Sequence, residues 1–125
     1  MYLSVFTKPD ITYTVSYLSQ FNNNPGKQNW LAAKRVLRYL KRTKNYFLKF
    51  KKTGKQLVGY SDSDWGNDIT CRKSYTGYLF KLGGNAITWE SRKQHCVALS
   101  STEVEYISLS ECAKEALDLR NFLKE

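Results

Sequence analysis

The spacing of apolar residues predicts a helix near the start of the chain. Its apolar positions recur at intervals of three and four residues, at Ile11, Val15, Leu18 and Phe21. Pro9 and Asp10 stand before this stretch, and both suit a first helical turn: Pro through its fixed φ, Asp through the helix dipole. The Asn-Asn-Asn-Pro-Gly run at 22–26 predicts a loop that ends the helix.

A second amphipathic pattern predicts a helix from about Gln28 to Arg42. Its apolar stripe is expected at Trp30, Ala33, Leu37 and Leu40. Its basic residues are expected to lie largely on the rest of the surface, at Lys34, Arg35, Arg38, Lys41 and Arg42. The pattern therefore predicts a helix with a cationic exterior.

From Asn45 onward the apolar period shortens, and short strands rich in aromatic and β-branched residues are expected. They are predicted at Tyr46–Phe50, Leu57–Asp62, Tyr75–Leu82 and Ala86–Glu90, with Val97–Ser100 as a further candidate. Gly83-Gly84-Asn85 predicts a hairpin turn. A last helix is expected from Ser101-Thr102 to the end of the chain.

Composition narrows the class of protein. A chain of 125 residues with 42% hydrophobic and 25% charged residues is typical of a globular protein of one domain, or of a small domain with an appended segment. No apolar run approaches the roughly 18 residues of a membrane-spanning helix, so no membrane partner is expected. Three widely spaced cysteines without a C-x-x-C pair favour a reducing, intracellular setting, in the cytoplasm or the nucleus.

The charge is distributed unevenly. Residues 1–55 contain twelve Lys or Arg and one acid, Asp10, whereas residues 56–125 contain eight bases and ten acids, so the net charges are +11 and −2. Basic residues interleaved with Tyr and Trp suit a nucleic-acid backbone. A solvated basic face is the alternative, and charge alone does not separate the two.

A candidate acidic site begins at the strand predicted over Leu57–Asp62. Because side chains alternate along a strand, Asp62 shares a face with Val58 and Tyr60, and Asp64 extends that face if the strand continues. An acid at the end of an apolar face is costly unless it is solvated, paired or bound to metal. The spacing by itself favours a turn-forming role, since Ser-Asp-Ser-Asp is also turn-like.

The last helix offers a second candidate acid. Its buried stripe is predicted at Leu109, Cys112, Ala116, Leu119 and Leu123. One step of four residues before Leu109 lies Glu105, which would head the core face. The alternative is a capping box in the run 102–105, in which Glu105 binds the backbone N–H of the cap residue.

Five stretches in a fixed order resemble the copia-type retrotransposon Pol polyprotein, at the end of its reverse transcriptase and the start of its RNase H domain. They are Thr7-Lys8-Pro9-Asp10-Ile11, Trp30 to Lys41, Gly59-Tyr60-Ser61-Asp62-Ser63-Asp64-Trp65, Arg72-Lys73-Ser74 and Leu99 to Tyr106. The resemblance spans almost the whole chain.

This resemblance implies an α/β fold of the α+β type: a truncated RNase H-like fold of antiparallel strands plus one long helix, preceded by two helices. Residues 1–54 would be a helical connection or thumb-like segment, and 55–125 the N-terminal part of the RNase H-like domain. The implied activity is cleavage of the RNA strand of RNA–DNA hybrids with two Mg²⁺ or Mn²⁺ ions. Asp62 and Glu105 match the catalytic, metal-binding acids, with Asp64 and Glu103 as alternatives. The helix that bears Lys34, Arg35, Arg38, Lys41 and Arg42 would bind phosphates of the hybrid.

The resemblance also implies two further catalytic Asp residues that this chain does not contain. We therefore expect little or no cleavage by the chain alone. The alternatives are a non-catalytic nucleic-acid-binding module, or a fragment completed by the rest of the Pol polyprotein or by a second chain.

Overall fold

The computed structural model describes residues 1–52, 54, 56–66, 68 and 71–124, which form a mixed α+β chain. The elements are, in order, α1 (Tyr2–Phe6), a 3₁₀ helix (Pro9–Ile11), α2 (Thr12–Ser19), α3 (Lys27–Arg42), β1 (Val58–Asp64), β2 (Tyr75–Leu82), β3 (Asn85–Lys93) and α4 (Ser101–Phe122). They divide into two compact units, Met1–Phe50 and Lys51–Glu125.

The first unit is helical and differs from the prediction at both ends. Helix α1 precedes the predicted helix, which itself divides into the 3₁₀ helix and α2. The strand predicted at Tyr46–Phe50 is absent: this stretch has no regular structure and pairs with no described strand. Its apolar side chains have strand propensity, but propensity alone does not supply a hydrogen-bonded neighbour. The Tyr46 carbonyl instead accepts a hydrogen bond from Lys8 Nζ at 2.8 Å.

Helix α3 begins within one residue of its predicted start, and its predicted apolar stripe is confirmed only in part, because Ala33 and Leu40 are half-buried but Trp30 and Leu37 are exposed. Trp30 is 60% exposed and Leu37 is 66% exposed. The less exposed positions include Ala32, Val36 and Leu40. The less exposed face is thus rotated slightly from the predicted one.

The second unit is built on an antiparallel sheet in which β2 lies between β1 and β3. Strand β2 has the predicted bounds, whereas β1 begins one residue and ends two residues later than predicted, and β3 extends beyond its predicted bounds at both ends. Gly83 and Gly84 join β2 to β3, and both have positive φ, as a tight hairpin turn requires. The predicted turn is confirmed. Val97–Ser100 does not form a strand.

Helix α4 covers one face of this sheet. Phe80 of β2 pairs with Gly59 and Thr88, so the three residues lie on the same face. Thr88 Oγ1 donates to Glu115 Oε1 on α4 at 2.9 Å, which identifies this as the helix-covered face. A Cβ at Gly59 would lie 2.4 Å from the Phe80 ring, so glycine gives the ring its space.

The buried stripe of α4 also differs from the prediction. Val104, Ser108 and Cys112 are buried, whereas Leu109 is 56% exposed and Leu123 is 49% exposed. Glu105 therefore does not head the buried stripe. The reason is a polar contact: Ser108 is completely buried because its hydroxyl binds the backbone of β1.

Candidate metal and nucleic-acid site

Asp62 lies within β1, so the turn-forming interpretation of this residue is wrong. The strand continues through Asp64, and Asp62 pairs with Gly77 of β2. Its parity is opposite to that of Gly59, so its side chain lies on the sheet face away from α4. The side chain is exposed, and its Oδ1 accepts a hydrogen bond from Ser63 N at 2.9 Å.

Asp64 lies on the same sheet face as Asp62, but its carboxylate is bound to the backbone of β2. Its Oδ1 accepts a hydrogen bond from the backbone N–H of Tyr75 at 2.6 Å. Tyr75 is the residue paired with Asp64 and is buried. This carboxylate therefore helps hold the start of β2 against the end of β1.

The first turn of α4 assigns different roles to its two acids. Ser100 is the N-cap and its Oγ accepts from Glu103 N at 3.2 Å, while Glu103 Oε2 accepts from Leu99 N at 2.7 Å. The capping role predicted for Glu105 is therefore filled by Glu103. Glu105 is exposed and makes no hydrogen bond or ion pair with any described residue.

Two side chains of α4 join the helix to the backbone of β1. Ser108 Oγ donates to the Asp62 carbonyl at 2.8 Å, and Cys112 Sγ lies 4.0 Å from the Tyr60 carbonyl. Burial raises the pKa of the Cys112 thiol, with a smaller contribution from Glu115, so the thiol stays a protonated donor. Sequence reasoning missed Ser108, because a serine four residues before the apolar Cys112 gives no hydrophobic signal.

We expect Ser108→Ala to lower the free energy of unfolding of the second unit by about 1–2 kcal/mol, because the Asp62 carbonyl loses its donor. Urea denaturation would measure the change. Ser110→Ala is the matched control, since the Ser110 hydroxyl binds only the Ile107 carbonyl of its own helix. Equal effects of the two substitutions would contradict this role for Ser108.

Two other acids of the second unit are held in ion pairs. Asp68 pairs with Lys93 Nζ, and this hydrogen bond raises the pKa of Lys93. Glu111 contacts Lys114 Nζ at 2.9 Å and Arg92 Nη2 at 3.1 Å. These cations, Lys114 foremost, hold the pKa of Glu111 below its ordinary value. The carboxylates of Asp68 and Glu111 are thus already paired with cationic side chains.

Asp62 and Glu105 are exposed carboxylates on two elements that contact one another. The described residues contain no group of three or more His, Cys, Asp or Glu side chains able to hold a metal ion. Because Asp62 faces away from α4, the two carboxylates can approach each other only around the edge of β1 that does not pair with β2.

The basic surface predicted on the second helix lies on α3. Its six bases are accompanied by no acid within the helix. Those at the five predicted positions, Lys34 to Arg42, are exposed and form no ion pair with the described part of the chain. Lys34 Nζ lies over the Trp30 ring, 5.3 Å from its centroid. This surface combines unpaired positive charge with an exposed aromatic ring.

None of the helices described here is both long and apolar enough to cross a membrane.

The fold and the site define a mixed α+β protein with a basic helical unit and a three-stranded sheet under one long helix. No protein-family model matches the chain, and no solved structure matches it significantly. Known sequences do. The chain is 53% identical over 118 residues to the secreted RxLR effector protein 161 of Plasmopara viticola. The aligned residues make up 94% of this chain and 83% of that protein.

Retrotransposon polyproteins are also similar over nearly the same residues. The Pol polyprotein from transposon TNT 1-94 of Nicotiana tabacum is 50% identical over 125 residues, and that from transposon RE1 of Arabidopsis thaliana is 42% identical over 121. These matches cover 100% and 96% of this chain, but 9% and 8% of the polyproteins.

The chain belongs to the same family as the Plasmopara viticola protein. The copia-type Pol polyproteins support its assignment as a retrotransposon Pol fragment, as the resemblance implied. The chain spans less than a tenth of the Pol polyproteins' length.

Proposed function

We propose that the chain is the segment of a copia-type Pol polyprotein that spans the end of the reverse transcriptase and the N-terminal part of the RNase H domain, with Asp62 and Glu105 as two of the metal-binding acids of that domain. One observation carries this choice. Ser108 lies three residues after Glu105 on α4, and its hydroxyl donates a hydrogen bond to the Asp62 carbonyl of β1. The strand that bears Asp62 is therefore attached to the helix that bears Glu105.

The remaining contacts support Asp62 and Glu105 over their alternatives. Asp64 binds the Tyr75 N–H and Glu103 binds the Leu99 N–H, so each is used in holding the backbone. Asp62 and Glu105 are exposed, and their carboxylate oxygens are hard ligands of the kind that Mg²⁺ and Mn²⁺ prefer.

The chemistry follows from these roles. Two such ions, when bound, activate a water and stabilise the leaving 3′-oxygen of the cleaved RNA strand. The part of this chain is to present two carboxylates from a rigid strand and a capped helix. The bases of α3 would bind phosphates of the hybrid and position it.

A binding experiment with Mn²⁺ tests the metal site. We expect Mn²⁺ to broaden the amide signals near Asp62 and Glu105 in NMR spectra, and Asp62→Asn or Glu105→Gln to abolish the effect. Asp118→Asn is the matched control, because Asp118 is an exposed acid of the same helix. Equal broadening in all variants would contradict the assignment.

A cleavage assay tests the activity. Two carboxylates hold a metal pair weakly, so we expect a labelled RNA–DNA hybrid to be cut only when segments flanking the aligned stretch in a Pol relative are supplied. Asp62→Asn and Glu105→Gln should each abolish that cleavage. Cleavage that survives both substitutions would exclude these acids from the reaction.

A second candidate function is nucleic-acid binding without cleavage. The observation that favours it is α3, where six bases and no acid lie on one helix. Binding that weakens steeply with salt, with no metal-dependent cleavage in any reconstituted form, would select this function.

A further inference from the structure

An open groove at the surface of the first unit, called the cavity below, combines apolar walls with two opposite charges, those of the exposed Asp10 and Arg35. Its volume is about 310 Å³, at the lower end of the range for small-molecule sites. Ile11, Ala32 and Val36 line it with apolar atoms, and Asp10, Arg35 and Tyr39 line it with polar ones. It lies between the 3₁₀ helix, α2 and α3.

Asp10 is unusual in its surroundings. It is the one acid among twelve bases in residues 1–55. It nevertheless forms no ion pair with Arg35, which lines the same cavity, or with any other described base. An acid in the first turn also favours the dipole of the 3₁₀ helix, but that role does not require a cavity beside it.

Tyr39 holds the Asp10 carboxylate in place. Its hydroxyl donates to Asp10 Oδ2 at 2.5 Å, and this hydrogen bond raises the pKa of Tyr39. A carboxylate accepts about four hydrogen bonds, so one bond from Tyr39 leaves acceptor capacity for a ligand. The cavity therefore presents an oriented acceptor from Asp10 and a set of donors from Arg35.

A flat ligand with two adjacent donors on one edge and an acceptor on another matches this arrangement. Guanine has both: N1–H and N2–H₂ suit a carboxylate, and O6 and N7 suit a guanidinium. No other standard base offers two adjacent donors on one edge. Because N1–H is used in base pairing, the guanine must be unpaired.

We propose that this cavity binds an unpaired guanine base of a strand held along α3. The inference rests on the proposed nucleic-acid role of α3 and adds a base preference to it. Arg38 and Arg42 lie one and two helical turns after Arg35 on the same helix, where they can bind the flanking phosphates.

Fluorescence anisotropy with single-stranded oligonucleotides tests the proposal. Each is an oligo-dT of one length with a single central dG, dA or deoxyinosine, which lacks the N2 donors. We expect the dG strand to bind about fivefold or more tightly than the other two, as a bidentate contact does. Asp10→Asn should remove the preference, whereas Arg38→Ala should weaken all strands equally.

The outcomes separate the two proposals. Salt-sensitive binding of all strands with equal affinity would overturn the guanine site and leave the role of α3 intact. Guanosine monophosphate, titrated alone and followed through the NMR signals of Ile11 and Val36, gives an independent reading. Shifts that vanish in Asp10→Asn, with no strand binding, would support the cavity and overturn the role of α3. The absence of both effects would overturn both.

Discussion

Phe80→Ala is expected to lower the free energy of unfolding of the second unit by about 3–5 kcal/mol. Phe80 is 3% exposed and lies on the helix-covered face of the central strand, with its ring beside Gly59. Its removal leaves a cavity that the paired strands cannot close. A loss of this size is a large fraction of the stability of a small domain.

Urea denaturation, followed through the amide signals of β2, would measure this loss. Phe122→Ala is the matched control, since Phe122 ends α4 and is 73% exposed, so its truncation should change stability by less than about 0.5 kcal/mol. Similar losses for the two variants would mean that Phe80 does not lie at the centre of the core.

Removal of three bases from α3 is expected to weaken RNA–DNA hybrid binding about tenfold or more at 0.1 M salt. The variant is Arg38→Ala, Lys41→Ala and Arg42→Ala, three exposed residues in the last turns of the helix. Each base that contacts a phosphate adds nearly one to the slope of log affinity against log salt, so that slope should fall by about two to three.

The control removes the same net charge elsewhere. Lys114, Arg120 and Lys124 are exposed bases at or beyond the middle of α4, and their replacement by alanine also lowers the charge by three. We expect a smaller loss of affinity and a nearly unchanged slope. Equal slopes for the two triple variants would show that net charge, rather than α3, determines binding.

Local chemistry explains which elements could be predicted. The bounds of β2, the Gly83-Gly84 turn, and the extents of α3 and α4 agree with the sequence pattern to within a few residues. Turn geometry, helix capping and strand alternation depend on neighbouring residues, so they can be predicted from the sequence. The strand predicted at Tyr46–Phe50 failed because a strand needs a partner, which no local pattern supplies.

The candidate site was predictable in part. The alternation of side chains placed Asp62 on the face of Val58 and Tyr60, and β1 has that parity. The sequence could not decide which acid caps α4, because Ser100-x-x-Glu103 and the run 102–105 both fit a helix start. The structure assigns the cap to Glu103 and leaves Glu105 exposed.

The sequence by itself determined the resemblance to retrotransposon Pol polyproteins, the basic character of α3 and the order of the main elements, and it singled out the acids proposed to bind metal. Only the tertiary structure decided which faces are buried. Ser108 is buried and Leu109 is exposed, against their hydrophobicity, because the Ser108 hydroxyl donates to the Asp62 carbonyl of β1. Trp30 and Leu37 are exposed although both are large and apolar, whereas Ala33 and Leu40 of the same helix are half-buried. Burial depends on the surface that a residue meets, and that surface is assembled from distant parts of the chain.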